Sequence, residues 1–379
     1  MTERHRDGPS PSGHGGPLRI AVIGVMGKGK SHSSLFPKLH RAVLTAVVDR
    51  NPDAAAIARK LNVPFFSSVE ELLAARLADA VLCAVPHTVR REVCVPCLQA
   101  GLHLLSEKPL AATPADAAAI VVAAKNNRRV IGMMYQYRQR PLLRKAKELL
   151  DAGAIGNWYY AAMHHGINRT QSYYEARAWR GTWDGEGGGV MVNQAPHPLE
   201  TMMHLVGSFP RRVAAFASTL RHRIQTEDAA TAILEYENGA QVAVHADTIQ
   251  LPISEWWAIN GDRGTLVVDE KHITLKTIDP DLPQAIADGD GSTKPAAVKC
   301  NVQVFDSHGE DPKHLGMMQD FVDAVLDSRP PIIDGPWALK CVELHAAIIA
   351  AAATGRYVDF PPDHAEYDQL IKRLASGRR

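Results

Sequence analysis

The sequence predicts a two-domain chain: an α/β doubly wound parallel sheet, then an α+β domain on an open, mainly antiparallel sheet. Three observations carry the prediction. From residue 18 to about 135, wholly apolar runs alternate with helical stretches, the rhythm of strands buried on both faces by crossover helices. After about residue 155, strand-like runs follow one another directly, and Asn238-Gly239 between "TAILEYE" and "AQVAVHAD" is a strong hairpin signal. The chain has 379 residues, room for two domains at about 150 residues each.

Residues 1–16, rich in Gly, Pro, Ser and charge, read as a disordered tail without the apolar stretch of a signal peptide. The first domain, 17–137, opens with "RIAVIG" and a helix, followed by "AVLTAVVD" and a helix from Pro52 to Leu61. "ADAVLCAV", a helix through Val93–Ala100, "HLLSEKP", a helix from Pro114 and "RVIGMMYQY" complete it. Asn51-Pro52 and Thr113-Pro114 pair a capping residue with a first-turn proline. The second domain, 138–362, holds a helix near Pro196–Val206, the hairpin, "WWAINGDRGTLVVDE", "HITLKTI" and helices after residue 313. Residues 279–299 read as a long surface loop and 363–379 as a C-terminal tail.

Composition narrows the function. The 46% hydrophobic and 22% charged content is that of a soluble globular protein. With net charge +1 and no dense basic run, nucleic acid is not an expected partner. The longest apolar run, around Ala346–Ala353, is too short to span a bilayer, so no membrane partner is expected. The five cysteines show no framework spacing, which suits a reducing compartment and a cytoplasmic location. Cys94-Val-Pro-Cys97 reads as two small apolar residues on a helix face, and no metal site is expected.

"LRIAVIGVMGKGKS", residues 18–31, admits two readings. Gly24, Gly29, Lys30 and Ser31 satisfy the phosphate loop G-x-x-x-x-G-K-[ST] of nucleotide hydrolases. Gly24, Met26 and Gly29 satisfy a dinucleotide G-x-G-x-x-G with Met at its second glycine. Asp49 favours the dinucleotide. It ends "AVLTAVVD" about twenty residues after Gly29, where a carboxylate accepts from the adenosine ribose hydroxyls and repels a 2′-phosphate. NAD is therefore the expected cofactor, with NADP possible through Arg50. Gly27 restores room beside Met26, and Lys28, Lys30 and His32 are placed to touch phosphate.

Two further stretches hold chemistry. Glu107-Lys108-Pro109 ends a strand-like run, and strand carboxyl ends line the cofactor crevice; burial there makes Lys108 a candidate acid or base. In "EGGGVMVNQAPHPLE", Glu186 to Glu200, three glycines permit close approach to a ligand. Asn193 and His197, four apart, share a face if one helix covers both. A neutral His197 takes an alcohol proton as hydride leaves the same carbon. Upstream, Arg169, Gln171, Tyr173, Tyr174, Trp179, Arg180 and Trp183 suit a polyhydroxylated ligand. "DSHGEDPKH", Asp306–His314, lacks a ligand spacing and reads as a loop and helix start.

Together, the glycine turn, "VVDRNPD", "SEKPLA", "EGGGVMVNQAPHPLE" and "FVDAVLDSRPPIIDGPWALKCVELHAAIIAAAATGR" resemble the glucose–fructose oxidoreductase/inositol dehydrogenase (Gfo/Idh/MocA) family over about residues 17–362. The resemblance implies an N-terminal Rossmann domain that binds NAD(P), and a C-terminal open sheet whose exposed face forms homodimers or homotetramers. It implies oxidation or reduction of a sugar, cyclic polyol or glycoside. Lys108 corresponds to the family's active-site lysine and His197 to its proton-transfer histidine. Glu107 and Pro109 would hold the lysine beside the nicotinamide. Pro86, His87 and Gln136 join the cofactor set, and Tyr135 the substrate set. Asn193 departs from the aspartate of many members; an amide positions substrate and leaves proton transfer to His197 or Lys108. Beside net dehydrogenation stand NAD-recycling elimination or glycoside cleavage through a transient keto-sugar, a non-catalytic NAD sensor, and a P-loop protein.

Overall fold

The computed structural model describes residues 16–288 and 297–377. Six parallel strands, β1 (Leu18–Ile23), β2 (Ala42–Val48), β3 (Phe65–Phe66), β4 (Ala80–Cys83), β5 (His103–Ser106) and β6 (Ile131–Met133), form the first sheet. Their order is β3-β2-β1-β4-β5-β6, with chain reversal between β1 and β4, the arrangement that opens a crevice at the strand carboxyl ends. The central strands β4 and β5 are buried along their whole length and β1 at every residue but Arg19, as their apolar runs require. The short β3 and the helix Val69–Ala75 that follows it were not among the expected elements; two residues carry no periodicity. Ser68 caps that helix by accepting from the Glu71 N–H.

Helix starts follow the capping chemistry. Thr113 accepts from the Asp116 N–H and the helix begins at Pro114. The helix expected from Pro52 begins at Ala54, because Asn51 spends its side chain on the Asp53 N–H in a preceding turn. The helix expected over Val93–Ala100 spans Arg90–Gln99.

The second sheet has nine strands: β7 (Trp158–Asn168), β8 (Arg212–Ser218), β9 (Ala229–Glu235), β10 (Gln241–Asp247), β11 (Ile249–Gly261), β12 (Gly264–Val268), β13 (His272–Asp279), β14 (Lys299–Asp306) and β15 (Val358–Asp359). Their order is β14-β13-β12-β11-β7-β10-β9-β8-β15. Only β7 and β10 pair in parallel. β9 and β10 form the hairpin around Asn238-Gly239, where Gly239 takes φ +82°. One face is covered by helices and buries Trp257, Ile259, Val242 and Leu234. The other is open, with Phe216 83% exposed.

The chain then returns to the first sheet. The helix Lys313–Leu326 buries Met317, Met318 and Phe321 in the first core. A Cβ on Gly132 of β6 would lie 2.8 Å from the Phe321 ring, so the strand presents a glycine where the helix crosses. The helix Gly335–Thr354 belongs to both cores: Ala338, Cys341 and Val342 sit in the first, Leu344 to Ala351 mainly in the second. At 20 residues it is long and apolar enough to cross a membrane, a length the Ala346–Ala353 run alone did not suggest, yet it is mostly buried. Residues 363–379, read as a tail, contain the helix His364–Ala375, capped by Asp363 with Tyr367 and Leu370 buried. Its apolar spacing at 367, 370, 371 and 374 is that of an amphipathic helix. Within 279–299, read as one loop, β13 runs to Asp279 and a helix spans Leu282–Ala287. Residues 289–296 and most of the N-terminal stretch called a tail lie outside the described residues.

Candidate active site

The glycine turn follows β1. Gly24 holds φ +89°, and a Cβ there would meet Val85 at 2.9 Å; one on Gly29 would meet the Gly24 carbonyl oxygen at 2.1 Å. Both positions therefore demand glycine. Gly27 faces open space, and Met26 is 43% exposed, so its side chain does not fill the turn. The helix starts at Lys28 without a side-chain cap, leaving first-turn N–H groups for an anion. Lys30 and Ser31 lie inside that helix, past the loop where a P-loop lysine and serine act. Asp49 Oδ2 accepts from the Val25 and Met26 N–H groups at 2.8 and 3.2 Å, which binds the end of β2 to the turn. Arg50 is exposed beside it. This cradle fits a dinucleotide.

Glu107 and Lys108 leave β5 at its carboxyl end. Glu107 Oε1 pairs with His32 Nε2 at 2.6 Å, and Arg90 donates to the Glu107 and Pro109 carbonyls. Burial alone would raise the Glu107 carboxyl, but the His32 bond and the cations around it bring it down to about 2. An ionised, anchored Glu107 fixes the backbone from which Lys108 projects. Desolvation lowers the Lys108 ammonium to about 8, against the opposing pull of Glu107.

Lys108 Nζ donates to the Asn193 backbone carbonyl. That carbonyl is available because the helix Val190–Asn193 ends there. Asn193 and His197 thus do not share one helix; a new one begins at Pro196, and the break frees the acceptor that Lys108 uses. The glycine run closely approaches protein: a Cβ on Gly189 would sit 1.9 Å from the Glu227 carbonyl oxygen. The Asn193 amide nitrogen donates to Glu186 Oε1 and, at 3.3 Å, to the Tyr173 hydroxyl.

His197 stacks on Tyr137 with ring centroids 5.0 Å apart and meets Tyr135 edge-on at 5.6 Å. Its Nδ1 is buried without a partner, which leaves Nε2 as the nitrogen open to the cleft. Burial, then the nearby Lys108 charge, hold His197 well below the ordinary histidine range, so it is neutral at pH 7. On the far side of Tyr137, whose ring lies 3.2 Å beneath the Arg140 guanidinium, a cavity of about 350 Å³ is lined by Arg140, His165, Glu255 and Trp257. Glu255 accepts from Tyr137, Arg140 and His165 at 2.7–3.1 Å.

Among the other expected residues, Arg180 lies over the Tyr173 ring at 3.9 Å and donates to its carbonyl. Trp179 meets His87 edge-on at 6.2 Å, and His87 bonds the Glu186 carbonyl. Arg169 lies 5.2 Å over the Tyr173 ring. Gln171 bonds the Arg223 backbone at both ends of its amide. Gln136 sits in the short turn after β6 with a buried, unpartnered oxygen, and Pro86 precedes the turn after β4. "DSHGEDPKH" is the expected loop and helix start, the helix beginning at Lys313, and it also places His314 5.2 Å from the His32 ring and Asp311 on the cavity wall. His32, expected near phosphate with Lys28 and Lys30, pairs with Glu107 instead, and Tyr137, Arg140, His165 and Glu255 are not among the residues expected from the sequence. A lone acid in an apolar strand, "ISEWWAING", and the polar run "YQYRQRP" after β6 were their signals. Cys94 and Cys97 are buried with raised thiols, and among the described residues no three ligating side chains converge.

Residues 18–135 match the model of the oxidoreductase family, NAD-binding Rossmann fold, and residues 143–267 that of the GFO/IDH/MocA C-terminal domain. The chain belongs to the Gfo/Idh/MocA family. A structure of the WlbA dehydrogenase from Bordetella pertussis, in complex with NADH and UDP-GlcNAcA, superposes with TM-score 0.76 at 25% identity, covering 92% of this chain and all of that one. D-glucoside 3-dehydrogenase of Escherichia coli is 24% identical over 90% of this chain and 97% of its own. The 1-carboxy-3-chloro-3,4-dihydroxycyclo hexa-1,5-diene dehydrogenase of Comamonas testosteroni is 26% identical over 59% of this chain, and the match spans 56% of that relative's length. As a family member the chain carries an NAD-binding Rossmann domain, with the strand order expected of one.

Proposed function

We propose that this protein is an NAD-dependent dehydrogenase acting on a secondary hydroxyl of a sugar, cyclic polyol or glycoside, or reducing the matching ketone. The observation that carries it is the meeting of Lys108 and the neutral His197 beside the crevice where the dinucleotide cradle opens. Bound nicotinamide supplies the hydride acceptor. The chain's own residues manage the oxygen and its proton. Lys108, cationic at neutral pH, donates a hydrogen bond to the reacting oxygen and stabilises alkoxide character. His197 Nε2 takes the hydroxyl proton as the carbonyl forms, and returns it in reduction. Tyr137 keeps the imidazole planar to itself, and Asn193 offers an uncharged hydrogen bond to the substrate.

The relatives' names, a glucoside dehydrogenase among them, support the substrate class. The carboxylate of Asp49 supports NAD over NADP, Arg50 being the one group that opposes it. The open sheet face, with Phe216, Ile233 and Tyr160 exposed, supports self-association into a dimer or tetramer, readable as a multiple of 41.3 kDa in solution. The five unpaired cysteines suit the cytoplasm. Titration with NADH, NADPH and Mg-ATP tests the cofactor, and a sugar and glycoside panel with NAD tests the reaction. NADH binding with weak NADPH binding and NADH production from one panel member is expected. ATP binding with no nicotinamide response overturns the reading; turnover without net NADH favours the recycling chemistry instead.

A further inference from the structure

Asn193 leaves this chain without a carboxylate at that position, yet a buried acid stands directly behind it. We propose that Glu186 is a positioning residue that orients the Asn193 amide and adds a second negative charge, after that of Glu107, around Lys108. The inference rests on Lys108 being the active-site lysine.

Glu186 is 1% exposed, at the end of the short helix Trp183–Glu186. Its Oε2 accepts from the Gly181 N–H at 2.6 Å and its Oε1 from the Asn193 amide. As a carboxylate it only accepts, so the amide must turn its nitrogen inward. The Tyr173 hydroxyl takes a second bond from the same nitrogen. Both amide hydrogens are thereby used, and the Asn193 side-chain oxygen, which has no partner among the described residues, is the group left for a substrate hydroxyl. The Asn193 backbone carbonyl meanwhile holds Lys108. One residue therefore ties the lysine to the acid.

The groups facing Glu186 come from several elements. Lys108 and Arg180 are cationic, Glu227 is acidic, and His87, Tyr173 and Tyr174 are uncharged. Desolvation raises the Glu186 carboxyl to about 7, limited by the Gly181 and Asn193 bonds and by the two cations. Above that pH it is an anion while Lys108 is still cationic, and its charge pulls the lysine upward.

Replacing Glu186 with Gln removes the charge and puts an NH2 group where Asn193 donates. The test follows Lys108 itself by 13C NMR of ε-labelled lysines in the full-length protein, Lys108→Met assigning the signal. A midpoint near 8 stands clear of ordinary lysines near about 10.4. Glu186→Gln is expected to lower it by about one pH unit. Adding Asn193→Asp to Glu186→Gln restores one carboxylate and one amide, and should return the midpoint to the wild-type value or above. In the wild type the Lys108 signal should also carry a second, smaller inflection near pH 7 as Glu186 ionises, a readout that survives if Glu186→Gln does not fold. An unmoved midpoint in the folded variants, or a swap that restores nothing, overturns the proposal. The titration needs no substrate, so it stands or falls apart from the NADH and sugar assays.

Discussion

In the proposed reaction, Lys108 is the side chain whose protonation state most directly sets the rate. With its ammonium lowered to about 8 by desolvation, about nine-tenths of it is charged at pH 7 and about one-tenth at pH 9. The charged form donates to the reacting oxygen, so the contribution is present below pH 8 and lost as pH rises through it. His197 is neutral over the whole interval and adds no compensating change. Initial rates of NADH formation at saturating substrate should fall about tenfold between pH 7 and pH 9. Lys108→Met removes the donor at every pH. One oxyanion-stabilising donor is worth about 10²–10³ in turnover, so at least that loss is expected, with a flat profile above pH 7. Because Lys108 is not among the groups binding the glycine turn to β2, NADH affinity should stay within a few-fold. A variant of full activity, or a wild-type rate that does not fall between pH 7 and 9, would refute the role given to this lysine.

His197→Ala should lower turnover by about 10²–10⁴ with little change in cofactor binding, measured as kcat beside a fluorescence titration of NADH. Stability should fall in mild acid. His87, His204 and His345 are lowered to about 3, His103 to about 4, and His197 well below its ordinary range, each first by burial, so each takes up a proton only on unfolding below about pH 6.5. Glu186 and Glu227, raised to about 7 by burial, oppose this by releasing a proton on unfolding above their unfolded values near about 4.3. A net uptake of about three protons corresponds to roughly 4 kcal/mol lost per pH unit between 6.5 and 4.5. Urea midpoints across that range check it, and a constant midpoint would show that the histidines are solvated.

The local signals in this sequence were those that act over a few residues. Short unbroken apolar runs bounded by turn signals and alternating with helical stretches read as strands buried on both sides, so the parallel sheet was legible, as were the Asn238-Gly239 hairpin, the Thr113-Pro114 start and the helix at Pro196–Val206. The glycine turn with Asp49 and the strand-end Lys108 were legible for the same reason: each owes its chemistry to its own backbone setting. What depends on chain ends brought together was not. That Asn193 stands at a helix end, and so lends its carbonyl to Lys108, follows from a break that spacing alone cannot reveal. The charge of Glu107 depends on His32, 75 residues earlier, and the setting of Tyr137 on Glu255, 118 residues later. Helices assigned by sequence order to the second domain pack on the first sheet, because Phe321 and Cys341 find their apolar partners there. Residue types and periods determined which elements form and which side chains are candidates for chemistry; only tertiary packing, by stripping water from those side chains and choosing their neighbours, decided their charge and orientation.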